Sequence, residues 1–306
     1  MNIQSTGFGA FSRPVVEALL INTASIMEEV SGVKSPREYI ILHKDDCPMC
    51  SNGGDIRIIF LTVKDNYWCQ WTYQFAHEYC HHLINGAMNG GLTGLQWFEE
   101  TLCELASLFC LSKSQNPGLW NQWGCPHYAP CVQSYLDTHL YESLHLRQEY
   151  YLWNNCEHHL GIRPWLDILE EKSIPGKEKY QRNLYNAVAS LLLPSFLRTP
   201  ELWHIIAHIG DSSRWQSLEE LLSHLESEMS EAFHADLQEL RRILLGESFL
   251  FCFRGEVGAI AVNHQFASKD FVFGTLLYII MLALPRFLRS VSYFHVVMNL
   301  ILGERS

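Results

Sequence analysis

The feature that most constrains this chain is an apolar helical run over residues 71–84 that contains His77, Glu78 and His81. His77 and His81 are four residues apart, so on a helix they lie one above the other, with Cβ atoms about 5 to 6 Å apart. Two imidazole nitrogens placed in this way can bind one metal ion. Glu78 lies about 100° further round the helix, where its carboxylate can reach a water on that ion but is poorly placed to bind the ion itself. The run is therefore an H-E-x-x-H motif, which is typical of two zinc ligands and a general base.

Apolar residues cover most of the remaining surface of this helix, which indicates that the helix is buried. They are Phe75, Ala76, Tyr79, Cys80, Leu83 and Ile84. Burying a histidine or a carboxylate without a partner is costly, so three such residues within five positions need a common explanation. A shared metal ion gives that explanation. The alternative is that the histidines form hydrogen bonds inside an ordinary core.

A second helical pattern, over residues 95–111, offers a third ligand. Its apolar stripe is formed by Phe98, Leu102, Leu105 and Phe109. Glu100 and Glu104 repeat at helical spacing on a neighbouring face. Eighteen residues separate His81 from Glu100. This length allows the first helix to end, a loop rich in Gly and Asn to reverse the chain, and the second helix to lay Glu100 beside the histidines.

The two motifs together resemble those of the gluzincin metallopeptidases, whose pattern is H-E-x-x-H, a spacer of about this length, and a glutamate ligand followed one turn later by an acidic residue. The resemblance implies that His77, His81 and Glu100 bind Zn²⁺. It also implies that Glu78 is the catalytic base that activates a zinc-bound water for peptide-bond hydrolysis. Glu104 would then hydrogen-bond the back of a ligating histidine. The expected substrate is a peptide or a protein.

The second motif departs from the family pattern at one position. Where the family commonly has Asn-Glu, this chain has Glu99-Glu100, so Glu99, Glu100 and Glu104 are all candidates for the third ligand. Glu100 is the predicted ligand, and Glu99 is expected to contribute little. The resemblance covers only about residues 38–112.

The predicted fold is α+β, with a small β-sheet, the H-E-x-x-H helix and the glutamate helix in a gluzincin-like catalytic core over residues 1–117. A helix over residues 14–30 precedes two short strands, at 38–42 and 55–63, and the turn residues between them predict a hairpin-like connection. The second strand, from residue 56 onwards, is a candidate edge to which an extended peptide could add. An interior strand without a substrate role is the alternative.

Two further parts follow the predicted core. Residues 118–248 carry mostly helical patterns and are expected to form a lobe that supplies one wall of the active-site cleft. Residues 249–306 form an apolar tail, whose uncharged runs at 271–285 and 291–302 are each shorter than the ~20 residues that a membrane span needs. The tail is expected either to pack on the helical lobe or a partner, or to associate with a membrane surface.

The composition excludes several classes of function. Asp and Glu number 33 against 22 Lys and Arg, a formal net charge of −11, and no basic run appears, so nucleic acid is not an expected partner. The ten cysteines lack a framework spacing, and residues 1–7 lack the features of a signal peptide. Both observations favour a cytoplasmic location over an exported, disulfide-bonded protein. The chain has no G-x-S-x-G, P-loop or G-x-G-x-x-G motif.

Other groups of potential metal ligands have simpler interpretations. Cys47 and Cys50, with His43 nearby, could form half of a zinc knuckle or a redox pair, but a turn with two free thiols is the expected outcome. Residues 156–159, Cys-Glu-His-His, are expected to end a helix. His82 points away from the direction of the two motif histidines and is expected on the helix surface or behind a ligand.

The sequence leaves open which residue stabilises the oxyanion during hydrolysis. The candidates are His127, Tyr128, Tyr141 and Tyr151. Two rival functions also remain: a non-catalytic zinc-binding interaction module, and a membrane-associated regulatory protease. Glu78 favours catalysis, because a structural zinc site has no use for an unliganded carboxylate beside its metal.

Overall fold

The computed structural model describes residues 1–35, 37–51, 56–86, 95–153, 181–209 and 217–245, together with Leu166, Leu169 and Trp215. For residues 144–153 it describes the backbone alone. The architecture is α+β, as predicted, with helices predominating over one small sheet. The predicted apolar tail and the segment at residues 156–159 lie outside the described residues.

Four short strands form one mixed sheet in the order β1, β2, β4, β3. The strands are β1 (Asn2–Ile3), β2 (Tyr39–His43), β3 (Met49–Cys50) and β4 (Arg57–Leu61). β2 pairs in parallel with both β1 and β4, whereas β3 pairs antiparallel with β4. Arg57, Ile59 and Leu61 are buried at alternate positions of β4, as the two-residue period of a strand requires.

The connections in the sheet differ from the prediction. Because β2 and β4 are parallel, the segment between them is not the predicted hairpin; β3, inside that segment, pairs antiparallel with β4 instead. The proposal of β4 as an edge strand is wrong and the interior alternative is correct, since β4 lies between β2 and β3. A two-residue strand such as β3 is too short for its sequence pattern to reveal it.

The helices of the described residues are α1 (Arg13–Ser31), α2 (Trp68–Gly86), α3 (Gln96–Lys113), α4 (Pro117–Gln122), α5 (Ala129–Trp153), α6 (Arg182–Arg198), α7 (Ile205–Ile209), α8 (Leu218–Glu228) and α9 (His234–Leu245). Two 3-10 helices, Pro200–His204 and Glu231–Phe233, lead into α7 and α9. The predicted N-terminal, motif and glutamate helices correspond to α1, α2 and α3. None of the described helices is both long and apolar enough to cross a membrane.

Helix ends follow the local sequence. Gly32 ends α1 with φ of 69°, and its N–H donates to the carbonyl of Glu28. Only glycine adopts this left-handed conformation at little cost. At the start of α8, Ser217 Oγ accepts a hydrogen bond from the backbone N–H of Glu220 at 3.2 Å, as is typical of a serine N-cap.

α2 and α3 form the interior of the molecule. Residues 71–80 of α2 are all buried, and so is every residue of α3 from 97 to 111 except Glu100, which is half-buried. α2 packs against α1, α3 and β4. Two neighbouring helices that are buried all round place any polar side chain between them away from bulk water.

The helices after α3 pack directly on this interior. α6 contacts both α3 and α5, and Ala187, Val188 and Leu192 of α6 are fully buried. The predicted boundary between the core and the helical lobe falls at the start of α4. Side chains from α6 therefore reach the region where α2 and α3 meet.

Candidate metal centre

His77 and His81 lie on one face of α2, as their spacing predicts. Their ring centroids are 5.1 Å apart, and their side chains are only 5 % and 13 % exposed. Because so little water reaches the rings, the polar nitrogen atoms need partners within the protein or a bound ligand.

Glu100 of α3 reaches the Nε2 atoms of both histidines. Its Oε2 lies 3.5 Å from Nε2 of His77, and its Oε1 lies 3.7 Å from Nε2 of His81. In a tetrahedral zinc site with bonds of ~2.0 to 2.2 Å, neighbouring ligand atoms are about 3.3 Å apart, so Glu100 lies at nearly this separation from each histidine, through a different oxygen for each. Oε2 of Glu100 is buried and accepts no hydrogen bond from the described residues. A cation would satisfy this oxygen.

Cys103, one turn after Glu100 on α3, is a second neighbour of the two histidines. One ligand atom from each of His77, His81 and Cys103 lies within 4.8 Å of the others, and Cys103 is fully buried. Thiolate is a common zinc ligand, so the sequence analysis missed a potential donor here. Among the described residues the three-ligand group is His77, His81 and Cys103, whereas Glu100 approaches the two histidines through different oxygens, Oε2 and Oε1.

Two further carboxylates of α3 lie near the Nδ1 atoms of the two histidines. Nδ1 of His81 lies 2.6 Å from Oε1 of Glu99, a hydrogen bond in which the carboxylate accepts. Nδ1 of His77 lies 3.5 Å from Oε1 of Glu104, within ion-pair range but too long for a strong hydrogen bond. Hydrogen bonds of this kind fix the ring orientation and leave Nε2 as the nitrogen for the metal.

Glu99 contacts a motif histidine directly, which the sequence pattern does not reveal. Its side chain is 1 % exposed and contacts a motif histidine more closely than Glu104 does. Adjacent residues on a helix point about 100° apart, so Glu99 and Glu100 can reach opposite nitrogens of His81 only because α3 packs across α2. The sequence shows that Glu99 is present, but it does not show the angle at which α3 packs across α2.

Glu104 is fully buried and has two further partners that the sequence analysis did not identify. Nε of Arg182, on α6, lies 2.8 Å from Oε1 of Glu104, and the hydroxyl of Tyr73 donates to Oε2. Tyr73 precedes His77 by one turn of α2, so its position on the same face could have been predicted from spacing. Arg182 is too distant in sequence for any such signal.

The buried charges shift the pKa values of the centre in opposite directions. Burial raises the pKa of Glu78, and the positive charges of His77 and His81 only partly oppose this. Burial also opposes ionisation of Glu100, but His81 and His77 outweigh it and lower its pKa well below the usual range. For His81, burial alone would lower the pKa, yet Glu100 and Glu99 raise it well above the usual value. Positive charge is thus favoured beside Glu100, and a metal ion that binds there would displace the proton of His81.

Three of the four candidates for stabilising an oxyanion have described side chains, and these have other surroundings. Tyr128 binds the start of α2, where its hydroxyl accepts a hydrogen bond from the backbone N–H of Cys69 at 3.2 Å. Tyr141 is 66 % exposed and His127 is also exposed. The side chain of Tyr151 lies outside the described residues.

A tyrosine on α6 is a further candidate. Tyr185 lies one turn after Arg182 and is buried. Burial raises the pKa of its hydroxyl, and the negative charge of Glu100 raises it further. The sequence analysis missed Tyr185 because nothing in the local pattern of α6 distinguishes it from a core residue.

The remaining predicted groups lie elsewhere or act differently. Within the described ranges, Cys47, Cys50 and His43 do not come together as a three-ligand group. Both thiols are free, as expected. His82 is not on the helix surface: it is fully buried, and its Nε2 lies 2.8 Å from Ser35 Oγ.

Cys50, on β3, lies close to the centre. Burial raises the pKa of its thiol to about 11, while His81 lowers it and Glu78 raises it. β3 also packs against α2. The exposed edge of the sheet therefore passes beside the H-E-x-x-H helix.

Comparison with known proteins identifies no relative. No protein-family model matches the chain, and a search of curated proteins finds no match. The interpretation of the centre therefore rests on the geometry of its own residues.

Proposed function

We propose that the protein is a zinc-dependent metallopeptidase of the gluzincin type, in which His77, His81 and Glu100 hold Zn²⁺. The observation that carries this proposal is the position of the Glu100 carboxylate, 3.5 and 3.7 Å from the Nε2 atoms of the two histidines. Glu99 and Glu104 support it, because each faces the opposite nitrogen of one ring. Together these contacts match the arrangement of ligands and their supporting carboxylates in zinc enzymes.

The bound ion would lower the pKa of a water molecule towards neutrality and polarise the scissile carbonyl. Glu78 would take a proton from the attacking water and pass it to the leaving amine. Its buried environment raises its pKa, which improves its ability to hold that proton between the two steps.

Tyr185 is our proposed oxyanion-stabilising residue. Its hydroxyl is a hydrogen-bond donor that stays protonated at neutral pH, because burial and the charge of Glu100 both raise its pKa. A donor of this kind, held on a buried helix beside a metal ligand, can stabilise negative charge on the carbonyl oxygen.

We propose that an extended peptide or protein substrate binds along β3. This two-residue strand is at the edge of the sheet, and Met49 is 41 % exposed there. An added strand would gain main-chain hydrogen bonds and would run past the H-E-x-x-H helix, close to Glu78. β3 thus replaces β4 as the candidate substrate edge.

A non-catalytic zinc-binding module is the second candidate function. If Cys103 were a fourth protein ligand, no position would remain for a water molecule, and the interaction module would be favoured, since structural zinc sites have four protein ligands. Glu78 favours the peptidase, because a buried carboxylate beside the ligands is costly unless it has a role. We also propose a cytoplasmic location, which the free state of the described cysteines supports.

The test combines metal analysis with one substitution. The purified chain should contain one zinc per molecule, and Glu78→Gln should keep both the metal and the fold while abolishing cleavage in a broad peptide screen. The amide cannot accept the proton from water, although it has nearly the same volume as the carboxylate. A chain that binds no zinc, or a Glu78→Gln variant that cleaves as fast as the parent, would refute the peptidase. Zinc binding without any cleavage by the parent would favour the interaction module.

A further inference from the structure

We propose that Arg182 is a positioning residue of the metal centre, which fixes the Glu104 carboxylate against His77 and thereby sets how tightly the centre binds zinc. This inference rests on the proposed zinc site and adds to it a residue of α6, a helix that carries neither metal-binding motif.

The two oxygens of Glu104 have different partners. Oε1 lies 2.8 Å from Nε of Arg182 and 3.5 Å from Nδ1 of His77, while Oε2 accepts a hydrogen bond from the Tyr73 hydroxyl. The ion pair with Arg182 on Oε1 and the hydrogen bond from Tyr73 on Oε2 hold the carboxylate at both oxygens. Because Glu104 is fully buried, water cannot take the place of either contact.

Arg182 is itself held in place. Its guanidinium lies over the ring of Tyr73, 5.5 Å from the ring centroid, and the ring of His139 stacks on Tyr73 at 4.4 Å with an interplanar angle of 10°. α6, which begins at Arg182, is anchored by buried residues against α3 and α5. The arginine is thus presented to Glu104 from a packed helix and not from a mobile surface segment.

The charge of Arg182 matters because the site is rich in carboxylates. Glu78, Glu99 and Glu104 are buried, and Glu100 is nearly so. Removing one partner of a buried ion pair leaves the other charge uncompensated. Without Arg182, the Glu104 carboxylate would lose its ion-pair partner on Oε1 and with it the fixed position opposite His77.

A purely structural ion pair would also stabilise the fold, so the test needs a matched control. Arg198, at the other end of α6, provides one: its guanidinium lies 2.8 Å from Asp236 and 2.6 Å from Glu239. The two arginines are similarly exposed, at 40 % and 50 %. Only Arg182 contacts a residue of the metal centre.

The experiment compares Arg182→Gln, Arg182→Lys and Arg198→Gln in the full chain. Zinc affinity is measured by competition with a chelator, the Co²⁺-substituted protein gives an absorption spectrum, and thermal unfolding reports the stability. We expect Arg182→Gln to bind zinc about 10- to 100-fold more weakly and to change the Co²⁺ spectrum, as losses of supporting contacts around metal ligands do. Arg182→Lys should lose less, because lysine keeps the charge but not the planar donor geometry. Arg198→Gln should lower only the thermal midpoint.

The outcomes separate this inference from the proposed function. A parent chain that takes up zinc, with an Arg182→Gln variant of the same affinity and spectrum, overturns the role of Arg182 alone. A parent chain that takes up no zinc overturns the zinc site and this inference together. If Arg182→Gln does not fold, Arg182→Lys decides: weaker zinc binding than in the parent supports the role, and equal binding overturns it.

Discussion

Oε1 of Glu99 lies 2.6 Å from Nδ1 of His81, so this carboxylate holds the histidine ring from the side opposite Glu100. Oε1 of Glu104 faces Nδ1 of His77 at a longer distance, 3.5 Å. One helix, α3, therefore approaches both nitrogens of both histidines. The hydrogen bond to Glu99 fixes the His81 ring before any ion binds, whereas Nδ1 of His77 makes no hydrogen bond within the described residues.

Replacing Glu99 should weaken the centre. Glu99→Ala removes the acceptor for Nδ1 of His81, so we expect zinc affinity to fall by about 10- to 100-fold, with a smaller loss for Glu99→Gln, which keeps a carbonyl oxygen. Chelator competition measures both. Glu29→Ala, at an exposed position of α1, is the control and should bind zinc as the parent does. Parent-like affinity in Glu99→Ala would show that the contact does not support a metal ligand.

Substitutions at Glu100 and Cys103 should identify the third ligand. A ligand cannot be removed without losing a bond of ~2.0 to 2.2 Å to zinc, so Glu100→Ala should lose nearly all bound metal. Cys103→Ala should retain one zinc per chain. Metal content after gel filtration measures the difference, and the reverse result would assign the ligand to Cys103 and leave Glu100 as a neighbouring charge.

Tyr185 should contribute to turnover more than to metal binding. Tyr185→Phe removes only the hydroxyl, so we expect kcat on any peptide that the parent cleaves to fall by about 100-fold, with zinc content unchanged. Tyr141→Phe, at an exposed position, serves as the control. An unchanged kcat in Tyr185→Phe would place the oxyanion donor elsewhere.

A pH-dependent contribution to stability is expected at Glu28. Its Oε1 accepts hydrogen bonds from the Tyr79 hydroxyl at 2.6 Å and from the backbone N–H of Ser35 at 3.1 Å. Burial opposes ionisation, but these donors and Lys34 together lower the pKa of Glu28 below its usual value of 4.5. Because the folded-state pKa is the lower one, the stabilisation is present above the unfolded-state pKa and is lost as the pH falls through the folded-state pKa.

Glu28→Gln should therefore lower the free energy of unfolding by about 1 to 2 kcal/mol at neutral pH, and by progressively less as the solution is acidified. Urea unfolding of the parent and the variant at a series of pH values measures this difference. A difference that stays constant down to about pH 3 would mean that Glu28 acts through its shape and not through its charge.

Much of the arrangement of the site was predictable, because helical periodicity determines which residues share one face of a helix. The spacing of His77 and His81, and of Glu100 and Glu104, places each pair on one helix face, and a single packing contact between α2 and α3 brings the pairs together. The role of Glu99 depends on how the two helices cross, which no local pattern records.

Contacts from distant parts of the chain escaped prediction for the same reason. Arg182 and Tyr185 are brought towards the centre by the packing of α6 against α3. The apolar pattern of α6 predicts that the helix is buried but not which helices it contacts. In the sheet, β2 and β4 were predictable as apolar strands, whereas their parallel pairing and the insertion of β3 depend on long-range register.

If α3 supplies a zinc ligand as proposed, the stability of the protein depends on its supply of metal. Under the proposed function, zinc binds the folded chain alone, and a free concentration 1,000 times the dissociation constant would add about 4 kcal/mol to stability. That is a large share of the ~5 to 15 kcal/mol that holds an average domain together. A newly made chain would therefore finish folding as it acquires its ion. Under zinc starvation the same chain would become a target for proteolysis, so that cells would hold as much of the protein as their zinc can sustain.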